Sequence, residues 1–328
     1  MPHYPHKKVA HGVYLFGPHR EYFWLGNLLP LKKQFARLTA NLPDHSSDGY
    51  RAAKKCLEMI DLSREAFTEL ADSEKPYWDV NMPVIELPGS SRGLLVYAPV
   101  AMDGAGRLKE TLDTLGEVRI VIAPAASHLG GLESFRNAYP KALFICGQGG
   151  MLTGGATIAE IAPQLEFHTV VSDSSTVFQD PELAALLGGQ FEFELMNDNC
   201  MNEIAILHKP SKTLICCDLI YKSKEFSDVP GVGGPENNYL GPGWFQQAYQ
   251  LLNVDPSPSR LLPDNRAFVA QRDFFDRKSF LESLDRVLLW DTELLLCSHT
   301  DPITGPDLRA VIEESWGWLR ETEDGSSG

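Results

Sequence analysis

The sequence predicts an α/β (α+β) protein in which two mixed β-sheets are flanked by helices. Apolar runs typical of buried strands recur between residues 82 and 299. Some of these runs are joined by short turns, which predicts β-hairpins, and others alternate with amphipathic segments, which predicts βαβ units. Because both kinds of connection occur, two mixed sheets are favoured over one doubly wound parallel sheet.

Residues 1–79 are predicted to form an N-terminal extension that is partly helical. Residues 13–25 are rich in aromatic side chains and have the pattern of an extended segment. Residues 48–70 carry apolar residues at helical spacing with charged residues between them, which predicts a helix. We interpret this zone as an extension or cap, and not as a catalytic unit.

Residues 80–322 are predicted to form the main domain, and residues 323–328 a disordered tail. The domain opens with a hairpin over residues 82–100 and contains a second hairpin over residues 202–220. A Gly- and Pro-rich loop over residues 221–242 is expected to act as a lid. The remaining strands are predicted at 118–124, 141–147, 165–173, 191–196 and 292–299, and the helices at 107–115, 128–140, 244–252, 266–275, 277–289 and 305–319.

Composition excludes several classes of partner and compartment. The formal charge of −15 disfavours nucleic acid and anionic membranes as partners, since both would repel an acidic surface. The six cysteines form no CxxC pair, which is typical of free thiols in a reducing compartment. No apolar run reaches the ~18 residues of a membrane helix, and the N-terminus lacks the pattern of a signal peptide. We therefore expect a cytoplasmic protein; the sequence leaves its oligomeric state open.

The Gly-rich segment at residues 146–161 raises the question of nucleotide binding, because it follows a predicted strand and precedes a helical pattern. Its glycines do not match G-x-G-x-x-G, and no Gly-Lys-Ser/Thr follows. The segment is better explained as a flexible connection, with nucleotide binding as the minor alternative, and no organic cofactor site is predicted.

Three metal-ligand side chains stand where apolar strands end. His128 follows the predicted strand at 118–124, Asp218 ends the apolar run at 213–217, and His299 ends the run at 294–298. Active sites of α/β proteins gather at strand ends, and imidazole and carboxylate groups are common ligands of zinc and iron. These residues are therefore the candidate metal ligands.

The motifs around these positions resemble those of a known family. The segments "SHLGG" before a helix, "TLICCDL", and "LLLCSHTDP" before a helix occur in the order found in the metallo-β-lactamase superfamily. The resemblance covers roughly residues 82–319 and is closer to a subfamily catalogued as a domain of unknown function. It implies a four-layer αββα sandwich of two mixed β-sheets flanked by helices, with the N-terminal helical extension lying outside it.

The resemblance also implies that most of the family's metal ligands are missing. Of the hallmark H-x-H-x-D-H-x-G-G, His128 matches the last histidine, Ser127 replaces the aspartate, and Ala123 and Ala125 replace the two earlier histidines. The histidine of a later turn would fall near residues 198–199, which are Asp and Asn.

The ligands that survive belong mainly to the second metal of the family. Asp218 matches the bridging aspartate, with Cys217 in place of the preceding glycine, and His299 matches the late histidine. The resemblance therefore implies at most one ion, zinc or iron, held by His128, Asp218 and His299, or none at all.

The implied function is that of a degenerate metallo-hydrolase acting on a small ester, lactone, thioester or phosphodiester. In that role Asp218 would ligate the metal and position a water molecule, and Ser127 would contact the water or a ligand. Two alternatives stay open: a non-catalytic pseudo-enzyme that binds a small molecule or acts as a scaffold, and a non-haem iron redox enzyme.

Overall fold

The computed structural model of the protein describes residues 4–22, 32–41, 48–71, 73–89, 92–125, 128–149, 156–196, 203–219, 240–241, 276–299, 301–305, 308–316 and 318–321. Its described strands form two mixed sheets. Helices pack against the outer face of each sheet. The four-layer sandwich predicted from the sequence is therefore confirmed.

The larger sheet has the strand order β1-β2-β3-β4-β5-β6-β7. An eighth strand, β11, also pairs with β3. Strands β1 to β4 pair antiparallel, whereas β4 to β7 pair parallel. The strands are β1 (His6–Ala10), β2 (Val13–Tyr22), β3 (Tyr77–Glu86), β4 (Gly93–Tyr97), β5 (Glu117–Ala123), β6 (Leu143–Gly147), β7 (Thr169–Val171) and β11 (Leu240–Gly241).

The smaller sheet has the order β13-β12-β10-β9-β8. Its strands pair antiparallel except β10 and β12, which run parallel. The strands are β8 (Phe191–Leu195), β9 (Ile204–His208), β10 (Thr213–Ile215), β12 (Leu294–Leu296) and β13 (Ile303–Thr304).

Eleven α-helices lie in the described residues, together with 3-10 turns at Pro163–Leu165 and Lys209–Ser211. The helices are α1 (Lys32–Asn41), α2 (Asp48–Ile60), α3 (Arg64–Glu69), α4 (Arg107–Leu115), α5 (Leu132–Ala138), α6 (Ile158–Ile161), α7 (Thr176–Gln179), α8 (Pro181–Leu187), α9 (Arg277–Leu288), α10 (Leu308–Trp316) and α11 (Trp318–Glu321). In α9 the Asp276 side chain accepts hydrogen bonds from two backbone N–H groups of the first turn, which fixes where this helix begins.

Three apolar clusters hold the layers together. The first lies between the sheets and joins inward side chains such as Ile120 of β5 and Phe193 of β8. The second packs α4 and α5 on the outer face of the larger sheet, and the third packs α9 and α10 on the outer face of the smaller sheet. Both faces of β4, β5 and β6 are thus covered, which explains why β4, β6 and residues 120–123 of β5 are apolar.

The N-terminal zone contributes directly to the larger sheet. β2 pairs with β3 along nearly all of β3, with one register shift at Asn81, and β3 itself crosses the predicted boundary at residue 79. Helices α2 and α3 pack their buried side chains against the inter-sheet cluster. The predicted boundaries of the main domain stay a prediction, but this zone is packed into the sandwich.

Several predicted elements differ in extent from those observed. The strand predicted at 165–173 is reduced to Thr169–Val171, because a 3-10 turn precedes it and Glu166 adopts a left-handed backbone with φ of 48°. The helix predicted at 128–140 begins only at Leu132. The helix predicted at 48–70 is divided, with Ser63 capping α3.

Other predicted segments lie outside the described residues. They are the helices at 244–252 and 266–275, the tail at 323–328, and the loop at 221–242 apart from β11. No helix in the part of the chain that the structure describes has the length and apolar character needed to span a membrane.

We expect Gly131→Ala to destabilise the protein, because the turn before α5 lies against the backbone of residues 99–100. A Cβ at this glycine would lie 2.1 Å from the Pro99 carbonyl oxygen, so the backbone would have to shift. Urea unfolding should show a loss of about 1–3 kcal/mol. Gly104→Ala is the matched control, since a Cβ there would meet nothing within 4 Å, and equal losses in both variants would contradict the packing argument.

Candidate metal centre

The structure brings together the three candidate ligands His128, Asp218 and His299. The Asp218 carboxylate oxygen Oδ1 lies 3.3 Å from His128 Nε2 and 3.1 Å from His299 Nε2. The two imidazole nitrogens lie 3.2 Å apart. The exposed fractions of the three residues are only 5%, 1% and 3%. These three donor atoms therefore form a compact buried triangle.

Parallel strand pairing delivers two of these side chains. β10 and β12 run side by side in register, and Asp218 and His299 each stand three residues beyond the last residue of their strand. The ladder continues past the strand ends, since Cys216 N–H donates to the Leu296 carbonyl and Ser298 N–H donates to the Cys217 carbonyl. Both side chains therefore leave the same edge of the smaller sheet.

His128 comes from the other sheet. It stands five residues beyond β5, in a turn where its backbone N–H donates to the Ala125 carbonyl. Gly131 then allows this turn to lie against residues 99–100 before α5 begins. The site is thus assembled across the interface between the two sheets.

A buried glutamate, Glu203, holds the backbone that carries Asp218. Its two carboxylate oxygens accept the N–H groups of Cys217, at 2.9 Å, and of Asp218, at 2.8 Å. The next residue, Ile204, donates its N–H to the Pro124 carbonyl and accepts the Tyr97 hydroxyl at its own carbonyl, which ties this point to the larger sheet. Charge-assisted bonds of this kind are the stronger class of protein hydrogen bond.

Sequence reasoning gave no special weight to Glu203. The available signal was an acidic residue immediately before the apolar run of β9, where the cost of burying a carboxylate requires compensating hydrogen bonds. That signal indicates a structural role. It does not identify the partners, which are the backbone N–H groups of residues 217 and 218 and come close to Glu203 only in the folded protein.

Cys217 is a second residue of the site that sequence reasoning treated only as a replaced glycine. Its thiol sulfur lies in a group with the ligand atoms of His128 and Asp218, all within 4.8 Å of one another. The Ser298 hydroxyl donates to this sulfur at 3.4 Å. Burial, followed by the nearby Asp218 and Glu203 carboxylates, raises the pKa of the Cys217 thiol well above its usual value.

The electrostatics of the triangle favour an ionised aspartate. Burial by itself would raise the pKa of the Asp218 carboxyl, but attraction to and hydrogen bonding with His128 and His299 outweigh it. The result is a pKa well below the usual range of an aspartate. The site therefore presents a carboxylate, which is the form that a metal ion requires.

The donor separations are close to those expected around a small divalent ion. Ligands about 2.0–2.2 Å from a tetrahedral zinc ion lie roughly 3.3–3.6 Å from one another. The three observed separations, 3.1, 3.2 and 3.3 Å, fall at or just below the lower end of that range. Two imidazoles and one carboxylate are also the ligand set of non-haem iron sites with open positions.

The positions where the resemblance implied lost ligands are only partly described. Ala123 and Ala125 are fully buried and offer no donor atom. Ser127 and residues 198–199 lie outside the described residues, so the contact predicted for Ser127 stays a prediction. The Gly-rich segment is likewise outside the description over residues 150–155.

Comparison with known families and proteins gives one family match. Residues 76–232 match the model of a family described as a domain of unknown function, DUF4336. This agrees with the kind of subfamily that the sequence resembles. No curated protein matches the chain.

Solved structures with a similar fold include metallo-β-lactamases, the superfamily that the sequence resembles. The DIM-1 metallo-β-lactamase is 8% identical, with 98% of this chain and 99% of that chain covered and a TM-score of 0.47. The metallo-β-lactamase from Erythrobacter litoralis is 10% identical, with 96% of each chain covered and a TM-score of 0.46.

A flavodiiron core, Flv1 from Synechocystis sp. PCC6803, is also similar. It is 10% identical with a TM-score of 0.48, over 97% of this chain and 61% of that chain. This chain thus spans about 61% of the flavodiiron core's length. None of these similarities assigns a ligand or an activity to this chain.

Glu203→Gln is expected to lower the free energy of unfolding by about 2–4 kcal/mol, since the amide would turn a donor toward one of two buried N–H groups. Chemical denaturation measures the loss. Glu194→Gln is the control, because Glu194 is also buried in the smaller sheet but bonds the half-exposed Arg286 side chain. A loss at Glu203 no larger than the control's would contradict its role at the turn.

Acid should remove the stability that Asp218 contributes. Its folded pKa lies below its unfolded value, so this contribution is present above about pH 4 and is lost as the pH falls through the folded pKa. In the presence of a chelator, wild type should exceed Asp218→Asn in stability by more at about pH 6 than at about pH 3. Urea unfolding at both pH values measures this, and a difference independent of pH would refute it.

Proposed function

We propose that this protein, with its metallo-β-lactamase-like sandwich, is a mononuclear metal-dependent hydrolase with His128, Asp218 and His299 as ligands. One observation carries the proposal. Two imidazole nitrogens and one carboxylate oxygen, from three separate segments of chain, converge in the buried triangle at separations of 3.1–3.3 Å. Pairing of neighbouring strands would not by itself bring all three together, because His128 follows β5, which is a strand of the opposite sheet.

The residues of the site have different roles in this proposal. His128 and His299 would bind through Nε2 and Asp218 through Oδ1, while Glu203 holds the backbone of the Asp218 turn in place. Such support keeps ligands oriented before the ion binds. A divalent zinc or iron ion at this site would supply Lewis acidity, which polarises a carbonyl or phosphoryl group and activates water.

The depth of the ligands limits the substrate class that we propose. All three ligands are at least nine-tenths buried, so the reacting group must be small or stand at the end of a narrow part of a larger molecule. A small ester, lactone, thioester or phosphodiester meets this condition. The acidic character of the chain, −15 overall, favours substrates of low negative charge among these.

A second candidate function is favoured by the same distances. Separations of 3.1–3.3 Å also suit hydrogen bonds between imidazole and carboxylate, so the triangle can be a metal-free network in a protein that only binds a small molecule. A third, an iron-dependent redox enzyme, would use the same three ligands with a different ion.

Elemental analysis separates these functions. Protein purified without chelators or a metal-binding tag should carry about one zinc or iron ion per chain, and His128→Ala with His299→Ala should lose it. His168→Ala is the control, since His168 is a partly exposed histidine paired with Asp180. Esterase and phosphodiesterase assays would then follow on wild type and Asp218→Ala.

Each result has a definite meaning. No stoichiometric metal in wild type would refute the hydrolase and favour the metal-free network. Stoichiometric iron with a redox-active spectrum and no hydrolysis would favour the redox enzyme. Metal retained in the double variant would show that these residues are not the ligands.

A further inference from the structure

Two further buried cysteines, Cys216 and Cys297, meet beside the metal centre without belonging to the triangle. Their sulfur atoms lie 3.1 Å apart, and both side chains have no exposed surface. Each cysteine stands one residue beyond its strand, Cys216 after β10 and Cys297 after β12. Each therefore precedes a candidate ligand, Asp218 or His299, by two residues.

The backbone geometry at this point suits a covalent cross-link. Ile215 pairs with Leu296 in the parallel ladder, and the hydrogen bond from Cys216 N–H to the Leu296 carbonyl continues it. Cys216 and Cys297 are thus opposite each other on neighbouring strands, where Cα atoms are about 4.8 Å apart. Disulfides span Cα separations of roughly 4.4–6.8 Å.

Both side chains face the same apolar layer. Cys216 and Cys297 belong to the cluster between the smaller sheet and helices α9 and α10, with Phe280 and Trp316 among its members. Cys217, in contrast, belongs to the cluster between the sheets. Successive side chains of an extended segment point to opposite faces of a sheet. The cysteine pair therefore faces the outer helices, whereas the Cys217 thiol faces the metal ligands.

We propose that Cys216 and Cys297 are a modification site, at which a disulfide closes across β10 and β12. The oxidant is a low-molecular-weight disulfide such as oxidised glutathione. One cysteine thiolate attacks a sulfur of this molecule and releases one of its halves as a thiolate. The second cysteine thiolate then attacks the protein sulfur of the mixed disulfide and displaces the other half. Two protein thiols become one disulfide, and the small disulfide is reduced to two thiols.

The cross-link forms before the outer helices close over the pair. In the folded protein neither cysteine has any accessible surface, so a small disulfide cannot reach either sulfur. During folding, β10 and β12 can pair while α9 and α10 are still open. Once these helices pack, the same burial protects the disulfide from reductants.

The disulfide would act on the neighbouring site through the backbone. It joins the strand ends that carry Asp218 and His299, and so fixes the separation of two ligands whether or not a metal is bound. The proposal does not depend on the proposed hydrolase.

Refolding under controlled redox conditions tests the proposal. The denatured, reduced chain is refolded either in reduced glutathione alone or in a mixture of reduced and oxidised glutathione, and free thiols are then alkylated. Before alkylation, the oxidised sample should weigh about 2 Da less than the reduced sample, and after alkylation it should carry two fewer alkyl groups. Proteolysis without reduction should release two peptides, one with Cys216 and one with Cys297, joined by a disulfide. Its urea midpoint should be higher and should fall on addition of dithiothreitol under unfolding conditions.

Variants assign the cross-link to this pair. Cys216→Ser and Cys297→Ser should each abolish it, whereas Cys146→Ser should not, since Cys146 is buried in the cluster on the other sheet. If a serine variant fails to fold, peptide mapping of the wild-type protein still decides the question. Alkylation of all six cysteines after oxidative refolding, or linkage through a different pair, would overturn the proposal.

Discussion

The parallel pairing of β10 with β12 is the constraint on which the candidate site depends. Parallel neighbours end at the same edge of a sheet, so residues at equal distances beyond the two strands emerge side by side. Here those residues are Asp218 and His299, each three positions past its strand. An antiparallel pair would send them to opposite edges. His128 completes the set only because the turn after β5 meets that edge across the inter-sheet core.

Two buried carboxylates with different partners stand at this edge. Asp218 interacts with imidazoles, which are groups that a metal ion can also engage, whereas Glu203 accepts backbone N–H groups. Burial penalises both charges, and each is compensated locally by a different means. Asp218 can therefore act as a ligand, while Glu203 holds the backbone of residues 217 and 218 in place. Rigid support of this kind distinguishes a preorganised site from side chains that are merely near each other.

The fold was predictable from the sequence where local pattern and long-range pairing agree. Largely apolar runs predicted β4, β5 and β6, and polar residues after such runs predicted His128, Asp218 and His299 as neighbours. The partner of β2 was not predictable, since periodicity shows that a segment is extended but not which distant strand it joins. For the same reason Glu203 and Cys217 were not assigned to the site, because their partners are backbone groups and side chains brought close only by the assembled sheets. The shortened β7 reflects a 3-10 turn and a left-handed residue that apolar pattern does not report.

The pairing of β3 has a consequence for how the chain can be divided. β3 is bonded to β2 on one side, and on the other to β4 near its end and to β11 near its start. A chain shortened to begin at β3 would lose the partner that lies along nearly all of this strand. The amide and carbonyl groups that face β2, those of about every second residue, would then be unsatisfied. Such an edge can recruit the same strand of another molecule. The N-terminal hairpin is therefore part of the sheet and also covers the edge of β3 that could otherwise pair with another molecule.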